Sequence, residues 1–233
     1  MKRYFIFMIT IAMIIGLCSC DLSSNSTKSA DNEKSYMTAY CSKENVDVFY
    51  DKIGKLQGDG VIAGYVLNEE NCFNVTPEQV ASETNFQIFK FSDSSASFIM
   101  IDNEIYALCE WFGGHGFINA VPCDFDNDGN IDLLVASSWG SGLHRSIISV
   151  FNSVTKKSTV IYDTSTTDNP QIDLFVSTSS PSFSSTDIYY QVYSVEIKVN
   201  NNNFADLSYV ATDVVGSISK VNGMIAFVPR DNP

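Results

Sequence analysis

Along most of the chain, runs of β-branched and aromatic residues are separated by clusters of Gly, Asn, Asp, Ser and Pro at intervals of about eight to twelve residues. That rhythm predicts short antiparallel strands. Residues 61–67 and 86–91 fit single strands, and from residue 97 the candidates crowd together: 97–101, 104–110, 117–123, 131–138, 145–152 and 158–162. Asp102-Asn103 suits a two-residue turn, because both residue types tolerate the left-handed backbone such turns need. Further on, 187–199 reads as a long strand with Tyr193, Val195, Ile197 and Val199 on one face. An Asn-rich turn at 200–203 leads into 204–215, and Asn222-Gly223 joins 217–221 to 224–228 as the strongest hairpin signal in the chain. The Ser/Thr-rich stretch 164–186 predicts an exposed connection with one strand at 172–177.

Helical signals are few. Thr76-Pro77-Glu78-Gln79 offers a capping hydroxyl, a proline at the first helical position and Gln at the third, predicting a short helix to about Thr84. Residues 45–56 are ambiguous: Val46, Phe49, Tyr50 and Ile53 have helical spacing, but Gly54 limits the segment. The expected fold class is mainly β, an antiparallel β-sheet domain with one or two short helices.

The N-terminus breaks the rhythm. Lys2 and Arg3 precede a fourteen-residue apolar stretch, 4–17, shorter than the roughly 20 residues a membrane-spanning helix needs. Charge, short apolar core and small residues after it fit a secretory signal peptide at 1–19. The ending Leu17-Cys18-Ser19-Cys20 resembles the lipobox of bacterial lipoproteins. The resemblance implies cleavage before Cys20, a diacylglycerol thioether on Cys20, and acyl chains holding the chain on the extracytoplasmic face of the cell membrane. Residues 20–44 then have the composition of a flexible linker, and 45–233 form the extracytoplasmic β-rich domain.

Composition narrows the function. A chain of 233 residues with 45% hydrophobic residues can bury a sizeable core, which excludes a disordered or collagen-like chain. The balance of 14 basic against 27 acidic residues leaves no basic patch and argues against a nucleic-acid partner. Losing 1–19 removes Lys2 and Arg3 and no acidic residue, so the mature chain has 12 basic and 27 acidic residues, net −15. A surface so charged repels anionic lipid and is expected to stand off the membrane on its tether. Export also permits disulfides among Cys41, Cys72, Cys109 and Cys123. Cys109 with Cys123 is the more plausible pair, although buried free thiols are an equally open reading. None of the four forms a C-x-x-C, so they make a poor zinc site.

One motif carries chemistry. Residues 124–132 read DFDNDGNID, with Asp124, Asp126 and Asp128 at alternate positions, Gly129 next and Asp132 closing the loop. A hard cation such as Ca²⁺ takes six to eight oxygens, and carboxylates at loop positions 1, 3 and 5 converge only if the chain curls sharply, which Gly at position 6 permits. Asn130 would add its backbone carbonyl and Asp132 a fourth carboxylate. Position 12 is Val135, and 131–135 is a strand, so this is no EF-hand. The loop resembles the β-hosted calcium loops of FG-GAP and VCBS repeats over about residues 117–151, implying a propeller-blade-like calcium hairpin. A single copy of the loop departs from that family, since a closed propeller needs at least four blades.

Two glycine-rich turns flank the loop, 111–116 (WFGGHG) and 139–145 (WGSGLHR), and hold both tryptophans and both histidines. Strand pairing would bring them to one edge of a sheet. Trp111, His115, Trp139, His144 and Arg145 are the candidate ligand-binding residues, suited to stacking on a sugar or anchoring a surface protein; the blander expectation is that both tryptophans pack inside. Catalytic signatures are absent: no G-x-S-x-G, no H-E-x-x-H and no phosphate-binding glycine loop. Cys109 with His115, Cys123 with His144, and Glu104 with Glu110 are weak pairings. The expected function is a lipid-anchored, calcium-stabilised, non-catalytic module binding a glycan or a surface protein; the alternative is a cell-envelope hydrolase using the His115/His144 region.

Overall fold

The computed structural model describes residues 36–58, 67–109, 113–168, 171–178, 190–221 and 224–230, all within one compact unit, Lys34–Pro233. The fold is mainly β, as its alternating sequence predicts. In chain order the elements are β1 (Met37–Thr38), α1 (Val46–Gly58), β2 (Cys72–Asn74), α2 (Glu78–Glu83), β3 (Gln87–Phe91), β4 (Ser97–Ile101) and β5 (Glu104–Ala107). Then come β6 (Gly116–Cys123), β7 (Asp132–Trp139), β8 (Arg145–Asn152), β9 (Lys157–Asp163), β10 (Asp173–Thr178), β11 (Tyr190–Val199), β12 (Leu207–Val221) and β13 (Met224–Pro229). No helix among the described residues is long and apolar enough to cross a membrane.

The strands make three antiparallel meanders: β2-β3-β4-β5, β6-β7-β8-β9, and β10-β11-β12-β13, the last with β1 added beside β12. These sheets stack. Helix α1 lays Val46, Phe49 and Ile53 on Phe89, Phe91, Phe98 and Met100 of the first sheet, with the Phe49 and Phe89 rings parallel at 4.1 Å. The other face of the first sheet, through Ile88, Ile99 and Ile101, packs on Phe117, Leu133, Val135 and Phe151 of the second. The second sheet then turns Val121, Leu134, Ala136, Ile148 and Val150 onto Leu174, Val176, Val192 and Ile218 of the third. Covered on both faces, β6 is buried at every position and β7 at all but its last, which is why 133–136 is a continuous apolar run instead of an alternation.

Several sequence expectations are corrected by this packing. Gly54 does not end the first helix: it is solvent-exposed, and burial of Phe49 and Ile53 carries α1 past it to Gly58. Thr76 does not cap α2. Its hydroxyl donates to Asn74 Oδ1 (2.6 Å) and accepts from the Ile88 amide (2.8 Å), and Pro77 occupies the cap position without a side-chain bond. Strands expected at 204–215 and 217–221 are one strand, β12, which passes through Gly216 and absorbs two register shifts against β11. The strand expected over 104–110 stops at Ala107. Met37 and Thr38, read as linker, pair with Tyr209 and Ser208, and Ser42 bridges Asn74. Cys109 and Cys123 do not share a disulfide: Cys109 packs into the core on one face of the second sheet and Cys123 on the other, and none of the four described cysteines is disulfide-bonded. The signal segment, Cys20, residues 61–66 of the strand expected at 61–67 and Asn222-Gly223 lie outside the described residues, although Val221 pairs with Met224 as that hairpin requires.

Candidate functional site

The second sheet carries candidate chemistry at both ends. At the β6–β7 end, the chain leaves Cys123 and curls through Asn127 (φ +57°) and Gly129 (φ +86°) before re-entering at Asp132. Backbone amides inside the curl are taken up by the acidic side chains: Asp128 donates to Asp126 Oδ1 (3.2 Å), Gly129 to Asp124 Oδ2 (3.2 Å) and Asn130 to Asp128 Oδ1 (2.7 Å). The result points carboxylate oxygens of Asp124, Asp126 and Asp128 within 4.8 Å of one another on an exposed loop. Hydrogen bonds from Asn130 hold the Asp128 carboxyl below its ordinary range.

Asp132 is set apart from that trio. It is fully buried at the root of β7, accepts from the Ser153 amide at 2.7 Å, and burial pushes its carboxyl upward. Asn152, at the end of β8, links the two parts, its Nδ2 reaching Asp132 Oδ2 (3.3 Å) and Asp126 Oδ2 (3.2 Å). The structure therefore gathers Asp124, Asp126 and Asp128, keeps Asp132 one side chain away, and enlists Asn152. No local spacing marks Asn152, since it arrives from the neighbouring strand.

At the other end of the sheet, about 23 Å away along eight-residue strands, the two glycine-rich turns meet. Gly113 and Gly140 form a bridge, and the Gly114 amide donates to the Gly140 carbonyl at 2.9 Å. Gly113 has φ +65° and lies so close that a Cβ there would strike the Gly140 carbonyl, so only glycine fits. Trp111 lies outside the described residues. The His115 amide is fixed by Ser138 Oγ at 2.7 Å. The His115 ring meets His144 edge-on, centroids 4.8 Å apart, with Phe204 beside it at 6.3 Å.

Asp173, the first residue of β10, completes the cluster from the third sheet, its Oδ2 3.6 Å from His115 Nε2. Burial, then His144 and Lys90, push the His115 imidazole down to about 4. Burial pushes the Asp173 carboxyl up, against His144 and a hydrogen bond with Ser138. Across β7 and β8, Trp139 pairs with Arg145, whose guanidinium lies 5.3 Å from the indole centroid. Trp139 is half-buried, while Ser141, Gly142 and Leu143 stand in solvent. Strand pairing thus unites His115, Trp139, His144 and Arg145 as expected, and adds Asp173, which falls within the strand expected at 172–177 and has no candidate role in the sequence.

One of the weak enzyme pairings, Cys123 with His144, does not survive. Cys123 and His144 sit at opposite ends of the second sheet, and burial pushes the Cys123 and Cys72 thiols up to about 12 and Cys41 up to about 11, away from the thiolate a nucleophile needs. Glu104 is hydrogen-bonded to the Tyr106 hydroxyl, and Glu110 lies outside the described residues. A cavity of about 850 Å³ opens elsewhere, along the free edge of β6, lined by Asn74, Thr76, Gln87, Asn119, Phe175 and Tyr209 among others. No family model, curated protein or solved structure matches the chain.

Proposed function

We propose that the chain is a membrane-anchored lipoprotein, lipidated at Cys20 and held on the extracytoplasmic face, whose calcium-stabilised β domain is a non-catalytic module for a glycan or a surface protein. The observation that carries this reading is the convergence of Asp124, Asp126 and Asp128 on a curl that joins two buried strands. Three carboxylates so close repel one another, and a Ca²⁺ ion taking their oxygens, with the Asn130 carbonyl, would relieve that repulsion and brace the β6–β7 corner, while Asp132 supports the loop from behind through Asn152. The loop sits in one four-stranded meander of a stack of three sheets, so the corner it would brace lies between buried strands and not in a closed ring of blades. At the far end, Trp139 and Arg145 supply an aromatic face and a fixed cation beside exposed Ser141 and Gly142, a surface suited to a sugar ring or a peptide.

Calcium is tested first, by melting the full chain in detergent with chelator and with millimolar calcium. Free calcium at a hundred times its dissociation constant stabilises by about 2.7 kcal/mol, which for a domain of this size raises Tm by roughly 5–10 °C. Equal melting temperatures, with no calcium heat in calorimetry, would remove the ion from the reading. Ligand binding is then measured by co-sedimentation with purified peptidoglycan sacculi as the glycan probe. Trp139→Ala is expected to weaken retention at least tenfold without loss of folding; unchanged retention by a Trp111→Ala, Trp139→Ala double variant counts against the surface.

The meeting of His115, His144 and Asp173 favours a second reading, an envelope hydrolase using that corner. Turnover of the same sacculi, abolished by His144→Ala, would replace the binding module with it.

A further inference from the structure

The His115, His144 and Asp173 cluster is also a donor set. The three residues come from the segment before β6, the residue before β8 and the first position of β10, and one donor atom of each lies within 4.8 Å of the other two. The His115 Nε2 to Asp173 Oδ2 separation of 3.6 Å is too long for a hydrogen bond. It is close to the roughly 3.3 Å between two ligand atoms that each sit about 2.0–2.1 Å from a tetrahedral ion. His115 is only 9% exposed. Its Nδ1 and the Asp173 Oδ1 are both buried without a hydrogen-bond partner. Polar atoms left unsatisfied in a buried place call for water or an ion.

Chemistry and rigidity agree on the kind of ion. Two imidazoles and one carboxylate suit a borderline divalent transition ion, whereas calcium prefers an all-oxygen shell. The backbone that carries each donor is held in place independently of any ion. The His115 amide is tied to Ser138 Oγ, and the Gly114 amide to the Gly140 carbonyl on the loop that carries His144. Asp173 enters on β10, which is pinned to β6 by Asn119: its Nδ2 donates to the Val176 carbonyl (2.7 Å) and its Oδ1 accepts from the Val176 amide (3.1 Å). Such pre-arrangement is what a specific ion site needs.

We propose that His115, His144 and Asp173 form a three-ligand site for a divalent transition ion of the zinc type, bridging the second and third sheets and leaving a fourth position to water. The His115 and Asp173 side chains keep 11% and 17% exposure, so solvent reaches the site. The site shares no residue with the acidic loop at the far end of the sheet, so it stands whether or not that loop binds calcium.

The chain has only two histidines, which makes the test direct. The full chain, purified through a tag lacking histidine and labelled with ¹⁵N-histidine, is titrated with zinc chloride and observed by imidazole NMR. Both imidazole spectra are expected to change together and to saturate at one equivalent, while millimolar calcium leaves both unmoved. Zinc ions captured by the acidic loop would be silent in this measurement. No change, or a change confined to one histidine, overturns the proposal without any mutant. Asp173→Asn, which preserves shape, is expected to weaken zinc binding at least tenfold, and undiminished binding would remove the carboxylate from the site.

Discussion

Lys90 offers the sharpest test of how the first sheet packs on the second. Its side chain is 1% exposed on β3, and its Nζ donates to the Phe117 carbonyl of the second sheet at 2.9 Å. Burial lowers its pKa from 10.5 to about 7, against the opposing influence of the Cys109 and Cys41 thiols that face it. An unfolded chain keeps the proton up to about 10.5, while the folded chain surrenders it above about 7. The unfolded state therefore binds more protons in that window, and stability must rise with pH. Other buried groups act mainly outside the window used. His115, lowered from 6.5 to about 4, has made most of its contribution by pH 7 and adds only about 0.2 kcal/mol above it. Cys41, Cys72 and Cys123, raised above their ordinary value of 9, favour the folded state below about pH 9 and lose that contribution only above it. Between about pH 7 and pH 8.5, integrating the linkage for one group with a folded value of about 7 gives roughly 1.5–2 kcal/mol of added stability. Lys90→Met keeps the length of the side chain and removes the proton, so its stability should be flat across the same interval. Urea unfolding of the full chain at 25 °C, with equal slopes required at every pH, measures both. A wild-type stability as flat as that of the variant, or one that falls, refutes the buried amine.

Other outcomes follow from the same contacts. Gly113→Ala forces a side chain into the Gly140 carbonyl at a positive φ and should cost about 2–4 kcal/mol in urea unfolding; a loss under 0.5 kcal/mol would mean the two turns do not touch. Asn119→Ala leaves the Val176 amide and carbonyl without partners and should cost roughly 2–3 kcal/mol, together with faster amide exchange across β10. Phe49→Ala empties the space between α1 and the first sheet, for about 3–5 kcal/mol; retained stability would show that the helix does not cover that face.

Legibility in the sequence tracked how local the cause was. Ser97–Ile101 and Arg145–Asn152 were readable to the residue because turn residues bracket them and their neighbours in space are their neighbours in sequence. Gly54 and Gly216 misled, because the penalty for glycine inside an element is about 1 kcal/mol and tertiary burial outweighs it. Thr76 misled for a related reason: the sheet had a use for its hydroxyl that the helix did not. In the candidate sites, the Asp124–Asp128 curl was legible since its geometry is written in consecutive residues. Asn152 and Asp173 were not, because each reaches its site by strand pairing or sheet stacking. Lys90 carries no local mark at all: nothing in its neighbours distinguishes a lysine that a strand will bury from one it will expose.

The short β1 has a mechanical consequence. It is held to β12 by two paired residues and by the Ala39 amide on the Leu207 carbonyl (2.8 Å), and the next fastening is Ser42 with Asn74 (3.0 and 2.9 Å). A pull applied at residue 36 would part these few bonds, one pair at a time, long before it loaded the layered core. Peeling residues 37–42 would release roughly 20 Å of slack. So fastened, β1 would act as a fuse at the edge of the third sheet, peeling away under load before the layered core does.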